Sequence, residues 1–162
     1  MTHPDVRIFN HDVHYDQRGE IWTLWKNGEY PNTDLVFNHD KISTSRKNVL
    51  RGIHGDFEAW KLMECIHGEV YFVIVDNRPE SPNYKKWEWM MLNDKKRQSV
   101  LLPPGIGNGI LVMSELAILH YKWSYDGDYP DVDKRFTIKW DDPEINIFWG
   151  NKNNFILQER DF

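Results

Sequence analysis

The feature that most constrains this chain is its punctuation. Short runs of alternating apolar and polar residues follow one another, each closed by glycine, proline or a polar cluster. Glu69 to Asp76 reads EVYFVIVD directly after Gly68, and Gln98 to Leu102 stops at Pro103-Pro104-Gly105. Val6–Phe9, Glu20–Trp25, Leu35–Phe37, Lys41–Ser45, Asn48–His54, Ala59–Ile66, Trp87–Leu92, Gly107–Met113, Leu116–Trp123 and Phe136–Trp140 have the same character. The last two runs before residue 124 are expected to form a hairpin across Ser114-Glu115. Asp16–Gly19 reads as a turn, and Asn27-Gly28, Pro31-Asn32, Arg78–Pro82 and Asp126–Pro130 read as loops. No window keeps apolar residues at a 3.6-residue period, so an all-β barrel or sandwich is expected.

At 162 residues, one domain over residues 1–162 is the default. Eight tryptophans suit wide sheet faces that need filling. The net charge is -5, and no basic run exceeds Lys95-Lys96-Arg97. That excludes a nucleic-acid footprint, yet leaves room for a few cations gripping a phosphorylated small molecule. Cys65 is the sole cysteine, in an apolar alternation, so a structural thiol in a reducing cytoplasm is expected. The longest apolar run, Val70 to Val75, is far too short to span a bilayer, and the first residues lack the apolar centre of a leader.

The chemistry concentrates between Asn48 and Asp76, which hold Arg51, His54, Lys61 and Asp76. Neighbouring strands can aim His54 and Lys61 at one ligand; the plainer reading is a satisfied core histidine and a surface lysine. Period-2 alternation puts Val70, Phe72, Ile74 and Asp76 on one face, and Ala117, Leu119, Tyr121 and Trp123 on another. If these faces line a barrel, Asp76 and Tyr121 point inward and need partners. A metal of the kind held by small β-barrels needs two close histidines and a later one after a Pro-x-Gly turn. Here the first place offers only His54 and the later one Asn108, so no metal is expected. No nucleophile or phosphate-loop motif occurs. A histidine, a tyrosine and a lysine suit proton transfer beside a carbonyl: base, opposite-face acid and enolate stabiliser.

With these residues in view, the chain resembles the dTDP-4-dehydrorhamnose 3,5-epimerases, a metal-free branch of the cupins. Asn48–His54, Lys61-Leu62, Gly68–Val70, Val75-Asp76, Ser81-Pro82, Lys86-Trp87, Leu102–Gly105, Tyr121-Lys122, Trp140–Pro143 and Ile156-Leu157 with Asp161 carry the likeness. It implies a cupin-type jelly roll (a double-stranded β-helix barrel), a homodimer, no cofactor, and a place in cell-surface polysaccharide precursor synthesis. It implies His54 as base, Asp161 as its orienting acid, Tyr121 as proton donor, and Lys61 beside the 4-keto oxygen. Arg51 and Arg18 are implied on the pyrophosphate, Asp76 as a pocket acid, and Asn108, His39 and Lys41 at the substrate. His39 and Lys41 replace Gln and Asn of the usual nucleotide pocket, Asn108 replaces a histidine, and Tyr125-Asp126-Gly127 replaces a tyrosine pair. Arg18–Thr23 and Pro104–Asn108 are more similar to the branch acting on GDP-4-keto-6-deoxyheptoses. The implied activity is therefore epimerisation at C3, or C3 and C5, of a nucleotide-activated 4-keto-6-deoxy sugar. The alternatives are a ketoisomerase on a related scaffold and a non-catalytic sugar-binding cupin.

Overall fold

The structure, a computed structural model, describes residues 2–28, 34–126, 135–150 and 154–161. The expected Pro31-Asn32 loop and most of the Asp126–Pro130 loop lie outside them. Two five-stranded antiparallel sheets face each other. The first runs in the order β1 (Arg7–Asn10), β9 (Gln98–Leu102), β6 (Trp60–His67), β11 (Leu116–Ser124), β4 (His39–Arg46). The second runs β12 (Arg135–Thr137), β5 (Leu50–Asp56), β10 (Ile106–Val112), β7 (Glu69–Asp76), β8 (Trp87–Asn93). A separate hairpin pairs β2 (Val13–Asp16) with β3 (Gly19–Trp22), and one 3-10 turn covers Glu159–Asp161. The architecture is the all-β jelly roll of the cupins.

Alternation builds the barrel. Met63, Cys65, Val100 and Leu119 of the first sheet meet Val70, Phe72, Ile74 and Ile110 of the second in one buried cluster. The opposite face of the second sheet is also apolar: Leu50, Ile53, Val73, Val75 and Leu111 are covered by Ile138, Trp140, Ile145, Trp149 and Leu157. Strands buried on both faces read as continuous apolar runs, which is why Val70 to Val75 lacks polar residues. Cys65 lies in the inner cluster, and burial pushes its thiol up to about 12, as suits a structural residue.

Three expectations change. Gly107–Met113 and Leu116–Trp123 form no hairpin: β10 lies between β5 and β7, while β11 lies between β6 and β4 in the other sheet. His54 and Lys61 likewise stand on facing sheets rather than neighbouring strands. In a jelly roll consecutive strands cross between sheets, and local pattern alone cannot reveal that crossing. Leu35–Phe37 is not a strand, whereas Val13–Asp16 is one, with too few apolar residues to declare itself.

Candidate active site

The sheets open into a cleft at one end of the barrel. Lys41, Ser43, Lys61, Tyr121 and Trp123 of the first sheet face Arg51, His54 and Asn108 of the second, with Arg135, Gln158 and Arg160 at its edge. A local irregularity in β5 makes this possible. His54 pairs with Asn108 but Arg51 pairs with Ile110, so three steps on β5 match two on β10. In a regular strand Arg51 and His54 would point to opposite faces; the extra residue turns both into the cleft. Gly52 permits it, with a φ of 126° and a backbone so close to β10 that a Cβ would meet Gly109 Cα at 2.6 Å.

His54 Nε2 lies 2.9 Å from Asp161 Oδ1. Asp161, 1% exposed, also accepts from the Gly52 backbone N–H and, at 3.0 Å, from that of Gln158. His54 Nδ1 stands 3.3 Å from Thr137 Oγ1. Burial, then the nearby Arg160, lower the imidazole to about 4 despite Asp161. A neutral imidazole at pH 7 can accept a proton. Lys61 donates to the His54 carbonyl at 3.2 Å and to Asn108 Oδ1 at 3.3 Å, with Nζ 4.9 Å from the Trp123 ring centre. Burial lowers it to about 8, against the pull of Asp56. Across the cleft, Tyr121 Oη lies 3.2 Å from Ser43 Oγ, and burial raises its phenol. Arg51 Nε donates to Ser45 Oγ at 3.0 Å.

His54, Lys61, Tyr121, Arg51, Asn108 and Lys41 therefore share one cleft, with Asp161 directly behind His54. Three expected substrate residues are elsewhere in this chain. Asp76, read as a pocket acid, is a structural clamp: its carboxylate binds Arg78, Ser81 and His3, which hold it well below the usual carboxylate range. Arg18, its side chain 83% exposed, pairs with Asp16 on the β2–β3 turn. His39 pairs across strands with Trp123 and packs towards Tyr125, outside the lining. Sequence reasoning passed over Ser43, Ser45, Arg135, Gln158 and Arg160. Ser43 and Ser45 were legible in principle, since they share the inward parity of Lys41; Arg135 and Arg160 follow no alternating pattern.

Five cations, Lys41, Arg51, Lys61, Arg135 and Arg160, line the cleft without a carboxylate among its lining residues, in a chain of net charge -5. Such a wall suits a diphosphate. Among the described residues no group of three or more His, Cys, Asp or Glu could hold a metal ion. An imidazole on one wall, a phenol on the other and an ammonium bonded to the His54 carbonyl are groups suited to proton transfer at a carbon acid.

Comparison with known proteins gives the family. The family model described as dTDP-4-dehydrorhamnose 3,5-epimerase matches residues 1–162. The dTDP-4-dehydrorhamnose 3,5-epimerase of Escherichia coli K12 is 33% identical over 163 residues, 97% of this chain and 86% of that protein. A dTDP-6-deoxy-D-glucose-3,5-epimerase of Legionella pneumophila, solved with dTDP-4-keto-L-rhamnose, superposes with a TM-score of 0.91 at 28% identity, covering 99% of this chain and 87% of that one. A 4-keto-6-deoxy sugar epimerase from the novobiocin gene cluster of Streptomyces spheroides gives 0.89 at 29% identity, covering 99% and 82%. The chain belongs to the dTDP-4-dehydrorhamnose 3,5-epimerase family.

Proposed function

We propose that this protein epimerises C3, or C3 and C5, of a nucleoside-diphosphate 4-keto-6-deoxy sugar without a metal. The observation that carries the reading is the opposition of His54 and Tyr121 on facing sheets of one cleft, with Lys61 Nζ bonded to the His54 carbonyl. His54 takes the proton beside the carbonyl, and the electron pair moves to the 4-oxygen, where Lys61 stabilises the enolate. Tyr121 delivers a proton to the other face, the carbonyl reforms, and the centre is inverted. Asp161 holds the imidazole in the tautomer that leaves one nitrogen basic. Arg51, Arg135 and Arg160 are read as diphosphate ligands.

The test is NMR of product formed in heavy water from dTDP- and GDP-linked 4-keto-6-deoxy sugars. Inversion with deuterium at C3, or C3 and C5, is expected. A migrated carbonyl would make the protein a ketoisomerase, and no exchange with any keto-sugar would make it a binding protein. Activity should survive EDTA within about twofold, because the cleft offers no adequate ligand set; loss on chelation with rescue by added metal would overturn the metal-free reading. The Escherichia coli and Legionella pneumophila relatives are named as dTDP-sugar epimerases. A second reading, GDP, is favoured by Lys41 on the cleft wall beside His39 on β4, since guanine presents O6 and N7 acceptors to a lysine. Protection by GDP over dTDP in a thermal-shift series separates them.

The assembly is read as a cytoplasmic homodimer. The β2–β3 hairpin exposes Tyr15 and Ile21, each 70%, a surface fit for a partner. In this reading Arg18 meets substrate only as a residue carried to the partner's cleft. Light scattering after size exclusion tests the dimer.

A further inference from the structure

Serine appears twice on the inward face of β4, and each hydroxyl holds a side chain of the cleft. Ser45 accepts from Arg51, and Ser43 stands 3.2 Å from the phenol oxygen of Tyr121. Among the described residues the phenol has no other hydrogen-bond partner, and its strand is fixed on both edges, by β4 and β6. We propose that Ser43 is a positioning residue for proton delivery: it aims the Tyr121 hydroxyl into the cleft and donates to the phenolate left when the proton leaves. This rests on the epimerase reading above.

A hydroxyl is both donor and acceptor, so one serine can serve both states. Before reaction Ser43 accepts from the phenol or donates to it. During delivery the Tyr121 O–H bond breaks, a C–H bond forms on the face opposite His54, and the enolate electrons reform the carbonyl and supply that bond. Among the described residues Ser43 is then the one hydroxyl donor beside the phenolate, and a hydrogen bond to an ionised acceptor is roughly twice as strong as one to a neutral group. The phenolate regains its proton, and the imidazolium of His54 loses its own, by exchange with water. Ser43 thus acts on the second half of the reaction and leaves the first half alone.

The test measures both halves in one sample. Wild type, Ser43→Ala and Ser43→Thr turn over, in heavy water, whichever of the dTDP- or GDP-linked 4-keto-6-deoxy sugars wild type accepts. Deuterium exchange into substrate should stay within about twofold for Ser43→Ala, while inversion falls about tenfold. Ser43→Thr, which restores the hydroxyl, should recover most of the inversion. Equal losses of exchange and inversion, or no loss of either, would overturn the proposal. A second readout needs no turnover: ultraviolet titration of tyrosinate, with Tyr121→Phe subtracted to isolate this phenol. Ser43→Ala should move its midpoint upward by about one pH unit, because the charged form loses its donor. An unmoved midpoint would sink the assignment. If wild type exchanges no deuterium at all, the epimerase reading fails, and the titration still decides the role of Ser43.

Discussion

Among the described residues two histidine–aspartate pairs have a buried carboxylate, and one of them stands at the cleft. His54–Asp161 is separated by 2.9 Å and His3–Asp76 by 3.1 Å. Both carboxylates are inaccessible to water. Their surroundings differ. Asp76 also binds the Arg78 guanidinium and the Ser81 hydroxyl, and the second nitrogen of His3 accepts from the Asp5 backbone. These contacts tie the N-terminal segment and the loop after β7 to the sheet. Among the described residues no guanidinium bonds to Asp161: it accepts from two backbone N–H groups and the imidazole, and His54 itself lines the cleft. A histidine–aspartate contact is therefore no signature by itself. What separates a base from a clamp is an imidazole open to a cavity and a carboxylate whose charge is not spent on an arginine.

The sharpest way to break this comparison is His54→Asn. It should lower kcat/KM by roughly 10⁴-fold with the far-ultraviolet spectrum unchanged, since one imidazole is lost from a cleft wall. Asp161→Asn should cost about 100-fold, the smaller effect of misorienting a base that is still present; a harmless Asp161→Asn would dissolve the distinction between the pairs. Acid should discriminate next. His54 must be neutral to accept a proton, so activity falls as pH drops through its depressed value of about 4. At pH 5 about 90% of such a base is still neutral, against about 3% for an ordinary imidazole, roughly a 30-fold contrast in kcat/KM. In the proposed mechanism Lys61 works protonated, so the alkaline limb should lie near 8. The smallest effect on turnover belongs to Asp76→Asn. It should lower unfolding free energy by about 3 kcal/mol, by stripping a buried partner from Arg78, yet leave kcat/KM of the folded fraction within about twofold. A turnover loss to match His54→Asn would return Asp76 to the cleft.

The two regions also mark what a sequence displays. Glu69–Asp76 and Gln98–Leu102 have the bounds that alternation and flanking glycine or proline imply. Tyr121 and Trp123 face inward as parity requires. Parity also turned Asp76 inward and was silent about Arg78 and Ser81 waiting two and five residues later to neutralise it. It would have separated Arg51 from His54, because one extra residue in β5 resets the phase and only the pairing with β10 reveals it. The sharing of one cleft by His54 and Lys61 was legible, while the sheets that carry them were not, since crossings between sheets leave no local periodicity. The place of Asp161 behind His54 came from family likeness, as no short-range pattern joins residues so far apart.

That separation has a consequence in time. His54 and Asp161, the proposed base and its orienting acid, are 107 residues apart in sequence. Closing so long a loop costs entropy that must be met before the contact yields anything, and contacts of high sequence separation slow folding. The 3-10 turn bearing Asp161 docks against β5 next to the parallel bridge between Val49 and Ile156, so it needs β5 already in place. Assembly of the His54–Asp161 pair is thus expected late in folding. In the proposed mechanism a partly folded chain would carry an unoriented histidine, and the base would be set only when the native topology is complete.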